Sequence, residues 1–281
     1  MKVKITSDST CDLNEWVVKR DVGIQPLQVN LGENSFLDGI DIQPQDIFDF
    51  VAKTKVLPKT SAPSIGAYEE FFKKHLEDHD EIVHINISSK SSGSHYFAQQ
   101  AAESFGGKVR VIDSKSLSSG QGLLVMKACD LRDEGKTGEE IEKALLEIRE
   151  RINTSFVPDT LDYLHKGGRV SGMVKTVAGV FKIHPLIYME DGQLLPGKKY
   201  KGKMNVLIKQ YVEDLKEMYP NYEKTRCFIT HSCADQDVVD VAKQKVKEAF
   251  DFDEVLETVA GSIVTSHCGK GTLGVLFIYE K

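Results

Sequence analysis

Hydroxyls and backbone N–H groups are gathered most densely in Ile87-Ser-Ser-Lys-Ser-Ser-Gly-Ser94, which holds five serines and a glycine. An apolar strand, Glu81–Ile87, runs into this segment and a helix, His95–Phe105, runs out of it. A strand end, a hydroxyl-rich loop and a helix start together aim donors at one point, which suits an anion. The plain alternative is capping, in which a serine before a helix satisfies orphan N–H groups, a role worth about 1 kcal/mol.

A second cluster, Lys59-Thr-Ser-Ala-Pro-Ser64, reads as another hydroxyl-rich loop, with Ser64 as the cap of the helix over Ile65–Leu76. Two such loops exceed what capping needs. Gly167-Gly168-Arg169 reads as a helix stop, and an arginine just after it can point into a cleft as a fixed cation. His267-Cys-Gly-Lys-Gly271 reads as a glycine-punctuated loop before the last strand; it lacks the spacing of a Walker loop. Ser92 or Ser94 could be assembled with His267 and Asp8 into a Ser-His-Asp arrangement, although no Gly-x-Ser-x-Gly elbow is present. His231-Ser-Cys233 and His267-Cys268 lack the paired spacing of a zinc site.

These loops need elements to hold them. The chain has 281 residues, 41% hydrophobic and 28% charged, as a soluble globular protein has. A net charge of −6 disfavours nucleic acid as a partner. The five cysteines are scattered, which argues for a reducing, cytoplasmic setting over a disulfide framework. The start, Met1-Lys-Val-Lys-Ile-Thr-Ser-Asp8, is too polar for a signal peptide, and no stretch approaches the roughly 18 apolar residues of a membrane span.

Strands alternating with helices in the first half predict parallel pairing, with ligands beyond the carboxyl ends of the strands. Ile24–Leu31 reads as a strand that Pro26 confines to an edge. In the second half a helix is predicted over Met173–Phe181. Ile183–Met189 and Gln193–Tyr200 flank Glu190-Asp-Gly192, a hairpin signal. The expected fold class is α/β with two domains: a mostly parallel-sheet α/β domain over residues 1–155 and an α+β domain over residues 156–281. The motif-bearing loops would face each other across that boundary.

Taken in order, the motifs resemble the DegV family of bacterial lipid-binding proteins. The matching pieces are Thr6-Ser-Asp-Ser-Thr-Cys-Asp12, Thr60-Ser-Ala-Pro-Ser64, Ile87–Ser94 and Val111-Ile-Asp-Ser114. They continue with Asp159-Thr-Leu-Asp-Tyr-Leu-His-Lys-Gly-Gly-Arg-Val-Ser171 and His267–Gly271. The resemblance implies a protein without chemistry or cofactor of its own that encloses one long-chain fatty acid. It would be the fatty acid-binding subunit of a bacterial fatty acid kinase. A separate ATP-binding kinase subunit would phosphorylate the bound carboxylate, and the acyl phosphate would feed phospholipid synthesis; transient contact with a membrane is compatible with that role.

By motif, the resemblance assigns the carboxylate to Thr60, Ser61, Ser92, Gly93, Ser94 and His267, and the kinase-facing region to Arg169 and His267. Helices such as Ile65–Leu76 and Met173–Phe181 would line the tail. Ser94 stands where threonine is usual, and Cys268 and Lys270 replace the threonine and proline of His-Thr-Gly-Pro-Gly. A carboxylate entering an apolar tunnel must meet donors, because an unpaired buried charge is costly. Two other readings stay open at this point: a serine esterase or acyltransferase using Ser92 or Ser94 with His267, and a carrier of another apolar carboxylic acid.

Overall fold

Val3–Asp8 (β1) is buried along its whole length, as a strand covered on both faces must be. The computed structural model describes residues 1–170 and 183–280, so the helix expected over Met173–Phe181 lies outside the described residues. After β1 come α1 (Trp16–Lys19), β2 (Gly23–Gln25), β3 (Gln28–Leu31), β4 (Asn34–Leu37), α2 (Pro44–Thr54), β5 (Lys59–Ser61) and α3 (Ile65–Leu76). The chain continues with β6 (Glu81–Asn86), α4 (Ser94–Ala102) and β7 (Val109–Asp113). The strands β2-β1-β6-β7 form a parallel sheet in that order.

The single strand expected over Ile24–Leu31 is two. Pro26 cannot donate to a ladder, and the chain changes sheets there: β2 edges the parallel sheet, while β3 joins a small antiparallel sheet of order β4-β3-β5. Thr60 and Ser61, expected in a loop, are therefore fixed on a strand, with Thr60 opposite Val29 and Ser61 opposite Gln28.

Next follow α5 (Ser118–Asp133), α6 (Gly138–Ile148), β8 (Ile152–Asn153), β9 (Ser155–Val157), α7 (Asp162–Gly167), β10 (Ile183–Glu190) and β11 (Gln193–Lys201). The last elements are α8 (Met204–Met218), β12 (Tyr222–His231), α9 (Gln236–Ala249), β13 (Glu254–Val259), α10 (Ser262–Cys268) and β14 (Leu273–Tyr279). A mixed sheet runs β11-β10-β9-β14-β12-β13, with β8 also on β14, and only its β12–β13 pair is parallel. The fold is thus mixed α/β, parallel in the N-terminal region and a mixed sheet with helices beyond, as expected.

Helix α5 joins the two sheets. Leu123, Leu124, Val125 and Met126 are all buried, the pattern of a helix enclosed on every side. It shares one apolar cluster with Val3, Ile5 and Ile85 of the parallel sheet and with Phe228, Leu276 and Ile278 of the mixed sheet. Its first turn approaches its neighbours closely enough to require glycine. A Cβ on Gly120 would lie 2.2 Å from Thr154 Oγ1, and one on Gly122 would lie 2.7 Å from the Cys11 carbonyl oxygen.

A second junction ties the start of the chain to α10. Asp12 accepts from Gly261 N–H at 2.8 Å and from Ser118 Oγ at 2.5 Å, and Asp38 accepts from Ser262 N–H at 2.8 Å and from Ser9 Oγ at 2.8 Å. These carboxylates satisfy orphan donors at the helix start. Asn14 exchanges two side-chain hydrogen bonds with the backbone of Val259 nearby. Burial, reinforced by Asp38 and Asp8, outweighs the hydrogen bonds to Asp12 and pushes its carboxyl up to about 8.

Two outcomes follow from these contacts. Gly120→Ala should destabilise the protein by about 1–3 kcal/mol through overpacking, read from the urea midpoint; an unchanged midpoint would mean that α5 does not sit this close to Thr154. Because folded Asp12 keeps a proton that the unfolded chain releases, stability should fall as pH rises to about 8. Buried His84, pushed down to about 3 by desolvation, acts in the opposite sense below its unfolded value near 6.5, so pH 6.5 to 8 separates the buried carboxyls, Asp12 and the likewise raised Asp38, from the histidine. Asp12→Asn should flatten the loss of stability over that interval, and an equal loss in both proteins would remove Asp12 as its origin.

Candidate functional site

Where the carboxyl end of the parallel sheet meets the mixed sheet, a cavity of about 540 Å³ opens. That volume lies within the roughly 300–1,000 Å³ of ordinary small-molecule sites. Carbon dominates its walls: Ile87 and Phe97 from the β6–α4 region, Leu117 before α5, and Phe156, Leu194 and Leu276 from the mixed sheet. Several hydroxyl residues also line it, but their oxygens are already committed. Thr230 pairs with Thr258 at 2.7 Å, Ser232 with Thr265 at 3.0 Å and Thr154 with Ser116 at 2.6 Å, and Thr272 donates to the Cys268 carbonyl at 2.9 Å. A polar group satisfied by its own neighbours makes little demand on a ligand, so this part of the cavity behaves as apolar.

Thr60, Ser61, Ser92, Gly93, Arg169 and His267 all line the cavity. Thr60 Oγ1 and His267 Nε2 share a hydrogen bond of 2.9 Å across 207 positions of sequence. The loop reading of His267 is corrected here: it lies in the last turn of α10, which the Asp12 and Asp38 carboxylates hold at its other end. A seven-residue helix with no charged residue before His267 and a glycine at each flank gave little periodicity to find. Ser61 Oγ donates to Gln28 Oε1 at 3.2 Å. Ser92 Oγ accepts from Ser94 N–H at 3.2 Å, so it serves as a local cap while bordering the cavity.

Ser94 is not brought to the cavity wall. Its hydroxyl is fully buried, 2.6 Å from Tyr68 OH and 3.2 Å from Asn86 Nδ2. As the first residue of α4 it faces the core under the sheet. Asp8 belongs to the same buried network. It accepts from Thr10 N–H and Oγ1, Asn86 Nδ2, Ile87 N–H and Gln121 Nε2, pinning the ends of β1 and β6 to α5. Among the described residues, His267 pairs with Thr60, and neither Ser92, Ser94 nor Asp8 hydrogen-bonds to its ring. The nucleophile–base–carboxylate relay is therefore not assembled.

Burial, with Arg169 adding positive potential, pushes His267 down to about 4. A neutral imidazole at physiological pH offers one N–H donor and one acceptor. Arg169 itself is exposed, and one of its guanidinium nitrogens donates to the Gly167 carbonyl at 2.7 Å. Of the two departures in the last motif, Cys268 is a buried wall residue of the cavity, and the Lys270 ammonium lies 5.9 Å from the Phe48 ring of α2.

The hairpin of β10 and β11 closes one side. Its tip docks on the serine loop through Ser88 Oγ donating to the Gly192 carbonyl at 2.8 Å, with Asp191 between Lys90 at 2.6 Å and Lys115 at 2.9 Å. Phe97, Leu117, Thr154 and Leu194 are wall residues that the sequence does not reveal, because the two sheets that bring them together are far apart in the chain, whereas α3 (Ile65–Leu76), expected to line the tail, contributes no lining residue. His231-Ser232, a polar strand end like the others, also lines the cavity and carries a usable signal.

The family model described as "Uncharacterised protein, DegV family" matches residues 2–280. A DegV domain-containing protein of Clostridium acetobutylicum is 32% identical over 279 residues, covering 99% of this chain and 98% of its own. A protein of Thermotoga maritima named as a fatty acid-binding protein is 32% identical over 284 residues, covering 98% and 96%. Among solved structures, a fatty acid-binding DegV family protein of Thermus thermophilus superposes with a TM-score of 0.92 at 27% identity, covering 100% of both chains. By the match of the family model over nearly its whole length, this chain belongs to the DegV family.

Proposed function

We propose that this protein binds a long-chain fatty acid, its tail in the cavity and its carboxylate at Thr60, Ser61, Ser92 and His267. The observation that carries the reading is the mixed lining of one cavity: apolar side chains and hydroxyls paired with their neighbours, together with the Thr60–His267 pair and Ser92. The fatty acid-binding relatives support it. Each buried methylene contributes about 0.8 kcal/mol. Ten of them give about 8 kcal/mol, the equivalent of a micromolar Kd before the costs of association. The tail therefore dominates affinity, and the head-group contacts fix orientation.

In this reading the protein carries out no bond-making step. It presents the carboxylate to a separate ATP-dependent kinase subunit, which forms the acyl phosphate. The exposed Arg169 beside His267 supports a rim that a second protein can reach. The sequence has no phosphate loop of its own with a metal-binding hydroxyl, and that division of labour would place the nucleotide on the partner.

Native mass spectrometry of gently purified protein should show one added fatty acid, and a mass equal to the bare chain from lipid-fed cells would count against the reading. Ser92→Ala should weaken fatty acid binding by about 1–3 kcal/mol. Ser94→Ala should leave affinity unchanged while lowering stability by about 1 kcal/mol, since its hydroxyl serves Tyr68. The reverse pattern would exchange the roles of the two serines. His267, held near 4, should stay neutral by NMR down to about pH 5 in the lipid-free protein; a midpoint near 6.5 would mean that the ring is exposed.

A further inference from the structure

Beside the lipid cavity, and sharing Thr60, Arg169 and His267 with it, lies a second concavity of about 490 Å³. Its rim is cationic: Lys55 after α2, Lys59 at the start of β5, Lys166 in α7, and Arg169. Leu57 and Pro58 supply apolar wall, and no Asp or Glu lines it among the described residues. In a chain of net charge −6, four cations around one depression are a local reversal of sign.

The bland account is that these cations serve helix ends. Lys55 donates to the Ala52 carbonyl at 2.8 Å, and Arg169 to the Gly167 carbonyl at 2.7 Å, as basic side chains near helix C-termini do. That account covers part of the charge only. A helix C-terminus carries about half a negative charge, so two of them offset roughly one of the four cations. Among the described residues, none of the four forms a salt bridge with a carboxylate, although the protein pairs many other lysines and arginines. Lys59 comes from a strand, where no helix end calls for it. Among the described residues, His267 Nδ1 adds an enclosed polar atom without a hydrogen-bond partner at the wall shared with the lipid cavity.

We infer that this groove binds a phosphoanion, a phosphate monoester or polyphosphate group, held by Lys55, Lys59, Lys166 and Arg169 beside the carboxylate end of the lipid. Concavity favours a small anion over a flat protein surface, and the four cations that line it carry the N–H donors that phosphate oxygens accept from. The position next to Thr60 and His267 deepens the lipid-binding reading, on which its significance rests. The groove would keep phosphate charge close to the carboxylate without burying that charge in the apolar cavity.

Inorganic pyrophosphate titrated calorimetrically into the full-length protein at low ionic strength tests this. Saturable binding is expected, weakening as salt is added. The double variant Lys59→Gln/Lys166→Gln should lose at least about tenfold in affinity, whereas Lys59→Arg/Lys166→Arg should keep it. Melting temperature and the fatty acid mass increment should be unchanged in both variants. Absent binding, or binding unaffected by the glutamine variant, overturns the inference. Retention on phosphatidic acid vesicles that pyrophosphate competes away supports the same groove with a lipid headgroup as the phosphate source. Retention that pyrophosphate does not compete overturns it. Pyrophosphate binding in protein that takes up no fatty acid would sink the lipid reading and leave the groove standing. Fatty acid uptake without pyrophosphate binding would sink the groove alone.

Discussion

The constraint on which the site depends is the capping of α10 by two buried carboxyl groups from the start of the chain. Asp12 and Asp38 take the Gly261 and Ser262 N–H groups, and the other end of the same short helix carries His267 to Thr60. Seven residues of helix cannot hold a fixed position by propensity, since isolated helices of that length are unstable. Buried acceptors, supported by Ser9 and Ser118, supply the constraint. The Thr-Ser-Asp-Ser-Thr-Cys-Asp motif near the N-terminus thereby has a physical function at a site it does not line. Asp8 ties the sheet to α5, and Asp12 ties α5 and the first loop to α10.

The second dependence is on α5. A helix enclosed by both sheets packs them through one apolar cluster, and the cavity is the space left where its first turn, the parallel sheet's carboxyl end and the mixed sheet diverge. The glycines of that turn admit the Thr154 and Ser116 hydroxyls beside Gly120 and the Cys11 carbonyl beside Gly122, while Leu117 and Ser118 at its mouth border the cavity. Polar groups near the cavity fall into two sets. Thr154, Thr230, Ser232 and Thr272 are satisfied by their own neighbours and leave their stretch of wall effectively apolar, while Thr60, Ser92 and the neutral ring of His267 are the polar groups offered to a head group. A fatty acid requires that division: methylenes gain from the first set, and a carboxylate needs the second.

Much of this was legible in the residues. Alternating strands and helices predicted the parallel sheet, because buried apolar runs separated by amphipathic stretches leave few other arrangements. The hydroxyl clusters pointed to a common anion, and Thr60, Ser61 and Ser92 do border one cavity. Ser94 was less legible: sequence proximity put it with Ser92, but the helical turn that begins at Ser94 rotates its hydroxyl into the Tyr68–Asn86 network. Pro26 marks both an edge and a change of sheet: β2 before it is the edge strand of the parallel sheet, and β3 beyond it belongs to another sheet. His267 could not be placed on a helix, because the caps of α10 come from more than two hundred positions away and short-range patterns contain no trace of them. The basic groove was invisible for the same reason, its four cations being drawn from β5, from α7 and from the turns that follow α2 and α7.

The central claim is that one end of the cavity is built for a carboxylate and the rest for a hydrocarbon chain. A crystal structure of the protein with its co-purified lipid tests it most directly. The account predicts a fatty acid whose carboxylate oxygens lie at hydrogen-bond distance, about 2.6–3.2 Å, from Thr60 or Ser92 Oγ, with the tail running past Phe156, Leu194 and Leu276. A ligand in the reverse orientation, or a cavity left empty beside excess fatty acid, would contradict it.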